Sequence, residues 1–534
     1  MGNTESSPSR PPSAVPSLAA RTRSLDSPFG YSPTFRESRS MQYESMTPPP
    51  MVTLSSTSSR ATPESISERS ETPQAPPPTT HASVLAKGLP VNHLYTLVNQ
   101  FGGRAALAGL STAQVVDKFI RPMTSASNVS LCGYMTLNSN ASLVQDAQYF
   151  ISHSHSSSFL GLVDALESWA LSNNLNAFST IVWIDIFSLS QHSTAERDLA
   201  WFEYTQRKIQ KIGNTVLVLD WANPIPLVRT WCLFEAWVGA GAGRLNIAIS
   251  QKGLEWFLEE FKLDSGRFCG YVGSIDCEMS ATTTPTDKQT LLHILTRDNP
   301  IPTVNRTLSH LLASWITFTL QQQIANNPSP QSSAQYMYAL ANFHRLSGNL
   351  HAAEHILFQC LQKQKQVLGE THEQTLVTLG TLALVYISQT RFESAEPLLL
   401  QCCLASQRAL GSDHVDTINA TFNLAQFYVS RGRLDQAEPL FLEAIQAQKR
   451  VLGPTHPETV ESITILANLY AREGWFEKAL PLLKETIDKL GGVGPAVVPL
   501  LEAMEGVRRG LAGAVSAMEG RLSRLSSQST PQVV

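Results

Sequence analysis

Apolar positions along the 534-residue chain fall into three regimes. Up to about residue 84 they are sparse and follow no period. From about 85 to 330 short apolar runs alternate with amphipathic stretches. From 334 to 490 a helical period is locked to a 42-residue repeat. The middle regime predicts helices over 92–121, with Leu94, Leu97, Val98 and Phe101 on one face. It then predicts strands at Gln148–Ser152, Thr180–Asp185, Thr215–Leu219 and Leu245–Ile249. Helices over Phe159–Leu171, Ala195–Ile212 and Val228–Val238 separate them. Strands alternating with helices imply βαβ units and a parallel sheet covered on both faces. Three further helices are expected at Gly253–Lys262, Thr286–Thr296 and Asn305–Gln323, with a loop at 281–285.

In the third regime Leu-Gly-x-x-His-x-x-Thr begins at Leu368, Leu410 and Leu452. Columns at the same step are Leu340/382/424/466, Ala341/383/425/467 and Ala353/395/437/479. Gly348, Gly432 and Gly474 mark a turn, where Thr390 breaks the column. Small residues let antiparallel helices approach while leucine fills between them, and glycine allows the tight turn. A fixed period of this length means stacked supersecondary units, each too small to bury its own apolar face. Val498–Leu525 is an amphipathic stretch suited to capping the last unit, before a disordered Ser/Gln end.

Composition changes the picture mainly at the N-terminus. Residues 1–84 are rich in Ser, Pro and Thr and read as a disordered tail. Six Ser/Thr-Pro steps, such as Ser27-Pro28 and Thr47-Pro48, are either kinase targets or a passive spacer. Met1-Gly2-Asn3-Thr4-Glu5-Ser6 matches the N-myristoylation pattern, which makes Gly2 a lipidation candidate. A single acyl chain gives only weak, reversible membrane contact. A net charge of −4 gives no electrostatic reason to expect nucleic acid. Seven scattered cysteines suit reduced thiols rather than a disulfide framework or a zinc pattern. No apolar run reaches the roughly 18 residues of a spanning helix. The expectation is a cytoplasmic chain, peripheral to a membrane if Gly2 carries lipid.

Two segments resemble known families. Phe150-Ile151-Ser152-His153-Ser154-His155 is similar to the opening box of TIR (Toll/interleukin-1 receptor) domains. Arg229-Thr230-Trp231-Cys232-Leu233-Phe234-Glu235 resembles their later Trp-Cys-x-x-Glu motif. This resemblance covers about residues 145–252 and extends to TIR-like modules fused to tetratricopeptide (TPR) arrays. The 42-residue period, over 334–490, resembles the TPR repeats of kinesin light chains. The implied fold class is α/β plus all-α: a TIR/flavodoxin-like parallel sheet domain (85–330), then a TPR α-solenoid of four repeats, with a disordered N-terminal tail (1–84) and a C-terminal cap (491–534). The sustained heptads of a motor-binding coiled coil are missing.

The TIR resemblance implies that Glu235 is the catalytic carboxylate if the domain cleaves NAD, stabilising oxocarbenium character at the ribose. Ser152, Asp185 and Trp231 are the candidate ligand contacts. The plainer alternative is a carboxylate early in a helix, favourable to its dipole, in a domain that only self-associates into homo-oligomers. Asp185 at a strand end also suits a loop cap. His153 and His155, alternating along one strand, should face opposite sides and so not share a metal. No metal site and no resident cofactor are expected; NAD enters only as substrate of the alternative. In the array, the Asn that clamps peptides in related repeats survives only as Asn423, at a column reading Ala339, Thr381, Asn423 and Ile465. The next column supplies Asn342, Gln426 and Asn468 as further partner contacts. The histidines of the repeat read as loop-structuring. The leading expectation is a scaffold or signalling adaptor whose TPR groove binds a protein or peptide partner. The rival is an NAD hydrolase regulated by the array.

Overall fold

The computed structural model describes residues 87–138, 140–192, 199–282, 284–491 and 497–528. The Ser/Pro-rich tail with Gly2, and residues 195–198 at the expected start of the second helix, lie outside the described residues. Two compact units meet in sequence at Ala325 and Asn326. None of the described helices is long and apolar enough to cross a membrane.

The first unit holds strands β1 (Lys87–Pro90), β2 (Gln145–Asp146), β3 (Tyr149–Ser152), β4 (Ile181–Trp183), β5 (Thr215–Val218) and β6 (Leu245–Ala248). They form one sheet in the order β2-β1-β4-β3-β5-β6. β4, β3, β5 and β6 pair in parallel, whereas β1 runs antiparallel to both β2 and β4. The expectation of an all-parallel sheet is therefore corrected: the sheet is mixed. Lys87-Gly88-Leu89-Pro90 carries no alternating pattern, so nothing local marks it as a strand. It becomes one by covering the otherwise open edge of β4. The approach is so close that a Cβ on Gly88 would lie 2.2 Å from the Val182 carbonyl oxygen. Only glycine fits there.

Three helices carry the crossovers: α1 (Phe159–Ser172), α2 (Leu199–Ile212) and α3 (Thr230–Gly241). Ser158 caps α1 by accepting from the Gly161 N–H at 3.2 Å. Its buried face of Phe159, Leu162, Val163, Leu166 and Trp169 joins a core with Leu94, Leu97 and Val98. β4 is shorter than the sequence suggests, because Asp185 already opens a short helix, Asp185–Ser188. A helix at Ser265–Gly273 has no counterpart in the sequence reading; with three glycines and a single turn of apolar spacing it is set by packing of Phe268 against Phe257 and Trp221.

The second unit is four helical hairpins: α4 (Pro330–Leu346) with α5 (Leu350–Val367), α6 (Glu373–Ser388) with α7 (Phe392–Leu410), α8 (Val415–Ser430) with α9 (Leu434–Val451), and α10 (Pro457–Arg472) with α11 (Phe476–Lys489). Each second helix packs on its own first helix and on that of the next hairpin. The two alanine columns are fully buried throughout. The intra-hairpin turn takes a left-handed backbone, φ 79° at Gly348, 71° at Gly432 and 78° at Gly474, and Thr390 is forced into it at 62°. Between hairpins, His372, His414 and His456 each accept through Nδ1 from the backbone N–H two residues on, at 3.2, 3.2 and 3.4 Å. They cap the following helices, as a loop-structuring role requires. A ladder ties successive hairpins: Arg391 to Glu354 at 2.7 Å, Arg433 to Glu396 at 2.6 Å, Lys478 to Glu438 at 2.6 Å. Each cation also lies over a tyrosine ring, of Tyr386, Tyr428 or Tyr470. Helix α12 (Val498–Gln528) adds Leu500, Ala503 and Val507 to the array core, which closes the apolar edge of the last hairpin.

Candidate functional site

From β3 the chain crosses to β4 on one side and then to β5 on the other. Such a reversal is where open α/β sheets bind ligands, beyond the carboxyl ends of the strands. The residue ending β3 is Ser152, fully buried. Its hydroxyl donates to Glu235 Oε2 at 2.6 Å, across 83 residues of chain. Glu235 stands on the second turn of α3, past the first turn where the helix dipole alone would explain it. Beneath them is the buried thiol of Cys232, whose Sγ donates to the His153 carbonyl at 3.5 Å. Burial, reinforced by the negative charge of Glu235, pushes that thiol far above its ordinary range, so Cys232 is packing and not a nucleophile.

Beside this pair lies a second group. β3 ends at Ser152, and the backbone turns immediately, so His153 and His155 do not alternate on a strand. Their rings are 5.3 Å apart and both face Asp185. The expectation that they face opposite sides is thus overturned, because strand periodicity stops one residue too early to apply. His155 Nε2 lies 2.6 Å from Asp185 Oδ2, and His153 Nδ1 lies 3.8 Å from Oδ1. Asp185 Oδ1 also accepts from the Ile186 N–H at 2.8 Å, a local cap as well as a partner. Burial opposes ionisation of Asp185, but the charge and hydrogen bond of His155, with His153, hold its carboxyl well below the usual carboxylate range. Burial pulls His153 down to about 4, against the attraction of Asp185. Lys208 of α2 is also buried, its ammonium 4.6 Å from the Trp183 ring centroid and 4.8 Å from that of Tyr204. Burial lowers its pKa to about 8, with Asp185 partly offsetting the effect.

Of the residues singled out from sequence, Ser152 and Glu235 meet directly, and Asp185 stands among the histidines. Trp231 belongs to an aromatic cluster, stacked on Phe202 at 5.1 Å and edge-on to Trp201 at 5.6 Å; its Nε1 donates to Asp287. Sequence reasoning missed Lys208, which looked like one more cation on an amphipathic helix. The signal was its register: it shares the buried face of α2 with Phe202, Thr205 and Ile209.

In the array, Asn342 is buried and its Oδ1 accepts from Arg345 Nε and Nη2 at 3.0 and 2.9 Å. Gln426 is buried as well. Asn423 is half-buried and Asn468 exposed, on α8 and α10 respectively. Thr381 accepts or donates to Tyr338 at 3.3 Å and donates to the Val377 carbonyl.

A tetratricopeptide-repeat family model matches residues 332–407 and 416–490. No curated protein matches the chain. Among solved structures, putative kinesin light chain TPR-like repeats from Podosopora anserina are 21% identical, with a TM-score of 0.33, covering 38% of this chain and 100% of theirs. BtubC (BKLC) from P. vanneervenii is 17% identical, with a TM-score of 0.31 and coverage of 46% and 92%. Aspartyl phosphate phosphatase F from Bacillus subtilis is 12% identical, with a TM-score of 0.32 and coverage of 63% and 86%. With the hairpins, turns and 42-residue columns described above, the family match identifies residues 332–407 and 416–490 as tetratricopeptide repeats.

Proposed function

We propose that this chain is a protein-interaction scaffold whose tetratricopeptide array holds an extended segment of a partner protein along its first helices. The observation that carries the reading is the amide stripe on those helices: Asn419 and Asn423 one turn apart on α8, and Asn468 on α10, all at the surface or half-buried. A carboxamide offers both donor and acceptor to a peptide backbone, the pairing that sequence-tolerant recognition needs. Asn342 and Gln426, being buried, support the wall rather than reach the ligand. Peptides selected on the full chain from a display library should bind at least tenfold more weakly to Asn423→Ala/Asn468→Ala. Phe358→Ala, exposed on a second helix, should leave them unchanged. Equal binding by the double variant would sink the reading.

The 2.6 Å contact of Ser152 with Glu235 favours a second reading for the α/β unit. It joins the two boxes that resemble TIR domains. In this reading the unit cleaves the nicotinamide–ribose bond of NAD, with Glu235 positioning ribose hydroxyls or stabilising developing positive charge. Nicotinamide release by the full chain and its loss in Glu235→Gln are expected; release unaffected by the substitution excludes Glu235 as the carboxylate. TIR-like self-association and weak membrane contact through a myristoylated Gly2 are further proposals, tested by concentration-dependent sedimentation and by a mass shift abolished in Gly2→Ala.

A further inference from the structure

His153 and His155 have no part in either reading, and Asp185 enters only as a candidate ligand contact of the second. Two imidazoles and one carboxylate present one donor atom each, all within 4.8 Å of one another. An ion bound at about 2.1 Å to three such donors in tetrahedral fashion spaces them about 3.4 Å apart. The observed separations from Asp185, 2.6 Å to His155 and 3.8 Å to His153, bracket that value. The geometry also leaves something unexplained. His153 is buried, yet its Nδ1, the nitrogen nearest Asp185, lies beyond hydrogen-bond distance of it at 3.8 Å, and its Nε2 has no partner among the described residues. An ion held by Nδ1 would supply the contact that this nitrogen lacks, while Nε2 would keep the ring proton. His155 is 47% exposed and Asp185 32% exposed, so the group opens to solvent on one side.

We propose that His153, His155 and Asp185 form a binding site for a divalent transition-metal ion, with solvent completing its coordination. Two histidines and one carboxylate suit zinc or ferrous iron, and not calcium or magnesium, which take oxygen ligands. Three protein ligands leave positions open, the arrangement of catalytic rather than structural sites. The ion would displace the hydrogen bond between His155 and Asp185 and polarise water on the solvent-facing side of the group. A second group, Glu373, His414 and Asp416, also converges in the array. There His414 Nδ1 is already committed to the Asp416 N–H as a helix cap. The inference rests on neither proposed function: a chain that binds no peptide and cleaves no NAD could still hold the ion.

The experiment is a zinc titration of the full chain by calorimetry and by competition with a chromophoric chelator. Metal content after dialysis is measured by mass spectrometry. One zinc per chain is expected. His155→Gln, at an exposed position, and Asp185→Asn, isosteric at a half-buried one, should each weaken binding at least tenfold while far-UV circular dichroism stays unchanged. His414→Ala should bind zinc as the wild type does. Cobalt substitution adds a spectroscopic check: d–d bands without thiolate charge transfer are expected, since Cys232 is not a ligand. Absence of zinc binding at micromolar concentration overturns the proposal. So does binding that survives both substitutions, or that is lost only in His414→Ala.

Discussion

Histidine has opposite uses in the two units. In the array His372, His414 and His456 each bond the backbone two residues on, and the three are interchangeable because their surroundings recur every 42 residues. In the α/β unit His155 meets Asp185 from 30 residues away, with His153 nearby, beside a serine that meets its glutamate across 83. A repeat multiplies one local solution and presents a surface. A singular sheet edge brings dissimilar groups together once, and buries some of them at a cost. The same cost appears in the cations: the array's Arg391 and Arg433 stay half-solvated over tyrosines with a carboxylate each, whereas Lys208 is buried over Trp183 and Tyr204.

The comparison breaks most sharply if the array does not depend on its columns. Leu424, 3% exposed, fills the space between α8 and its neighbours. Leu424→Ala should cost about 4 kcal/mol, the lost transfer energy plus a cavity that flanking hairpins cannot collapse. Urea unfolding of the full chain followed by helical signal reports it, and a loss below about 1 kcal/mol would mean the column is slack.

Next in size is the test of the buried cation. Lys208 has its pKa lowered in the folded state to about 8 from 10.5, so between those values the unfolded chain binds more protons, and stability from this group rises with pH. Below pH 8 both states are protonated and the full penalty stands. Relative to Lys208→Met, the wild type should therefore gain roughly 3 kcal/mol between pH 8 and 10.5. Measuring the pair together removes the opposing effect of buried thiols, which burial raises. A constant difference across that window would place Lys208 in solvent.

How much of this was legible followed the same division. The array could be read almost residue by residue, because each repeated position reports its burial three or four times. The alanine columns and the turn came from the period, and the repeated histidines read as loop-structuring. The parallel strands of the α/β unit were legible too, as apolar runs between helices. What was not legible had no local signal. β1 is a strand only because β4 offers an edge, and nothing around Gly88 in the sequence signals its close approach to Val182. The pairing of His155 with Asp185 was hidden by a rule applied one residue past the end of β3. Ser152 and Glu235 were named separately through resemblance, but nothing in the residues themselves says that the two touch.

Where the array departs from its own pattern, the comparison sharpens. Thr390 occupies the turn position that glycine holds in the other three hairpins, at φ 62°. A β-branched residue there carries about 1–2 kcal/mol of backbone strain, against the chain entropy that glycine adds to the unfolded state. Thr390→Gly should on balance stabilise the array by about 1 kcal/mol. A decrease in the urea midpoint would show that the threonine contributes a contact worth more than its strain.

The smallest expected effect separates the two histidine classes most cleanly. His414→Ala removes one acceptor from a helix N-terminus at a half-exposed site, so water replaces it in part. The expected cost is about 0.5 kcal/mol, the low end of capping losses. That cost should be the same with and without zinc, because it concerns a backbone N–H. His155→Gln should behave in the opposite way, nearly neutral in the metal-free chain and destabilising relative to wild type once zinc is added, since a ligand bound only by the folded state raises stability by mass action. Thermal unfolding of the two variants, each with zinc and with chelator, gives four differences. If zinc shifts the wild type and His155→Gln alike, the α/β histidines act as local caps do in the array, and the two units differ in architecture but not in the use of this side chain.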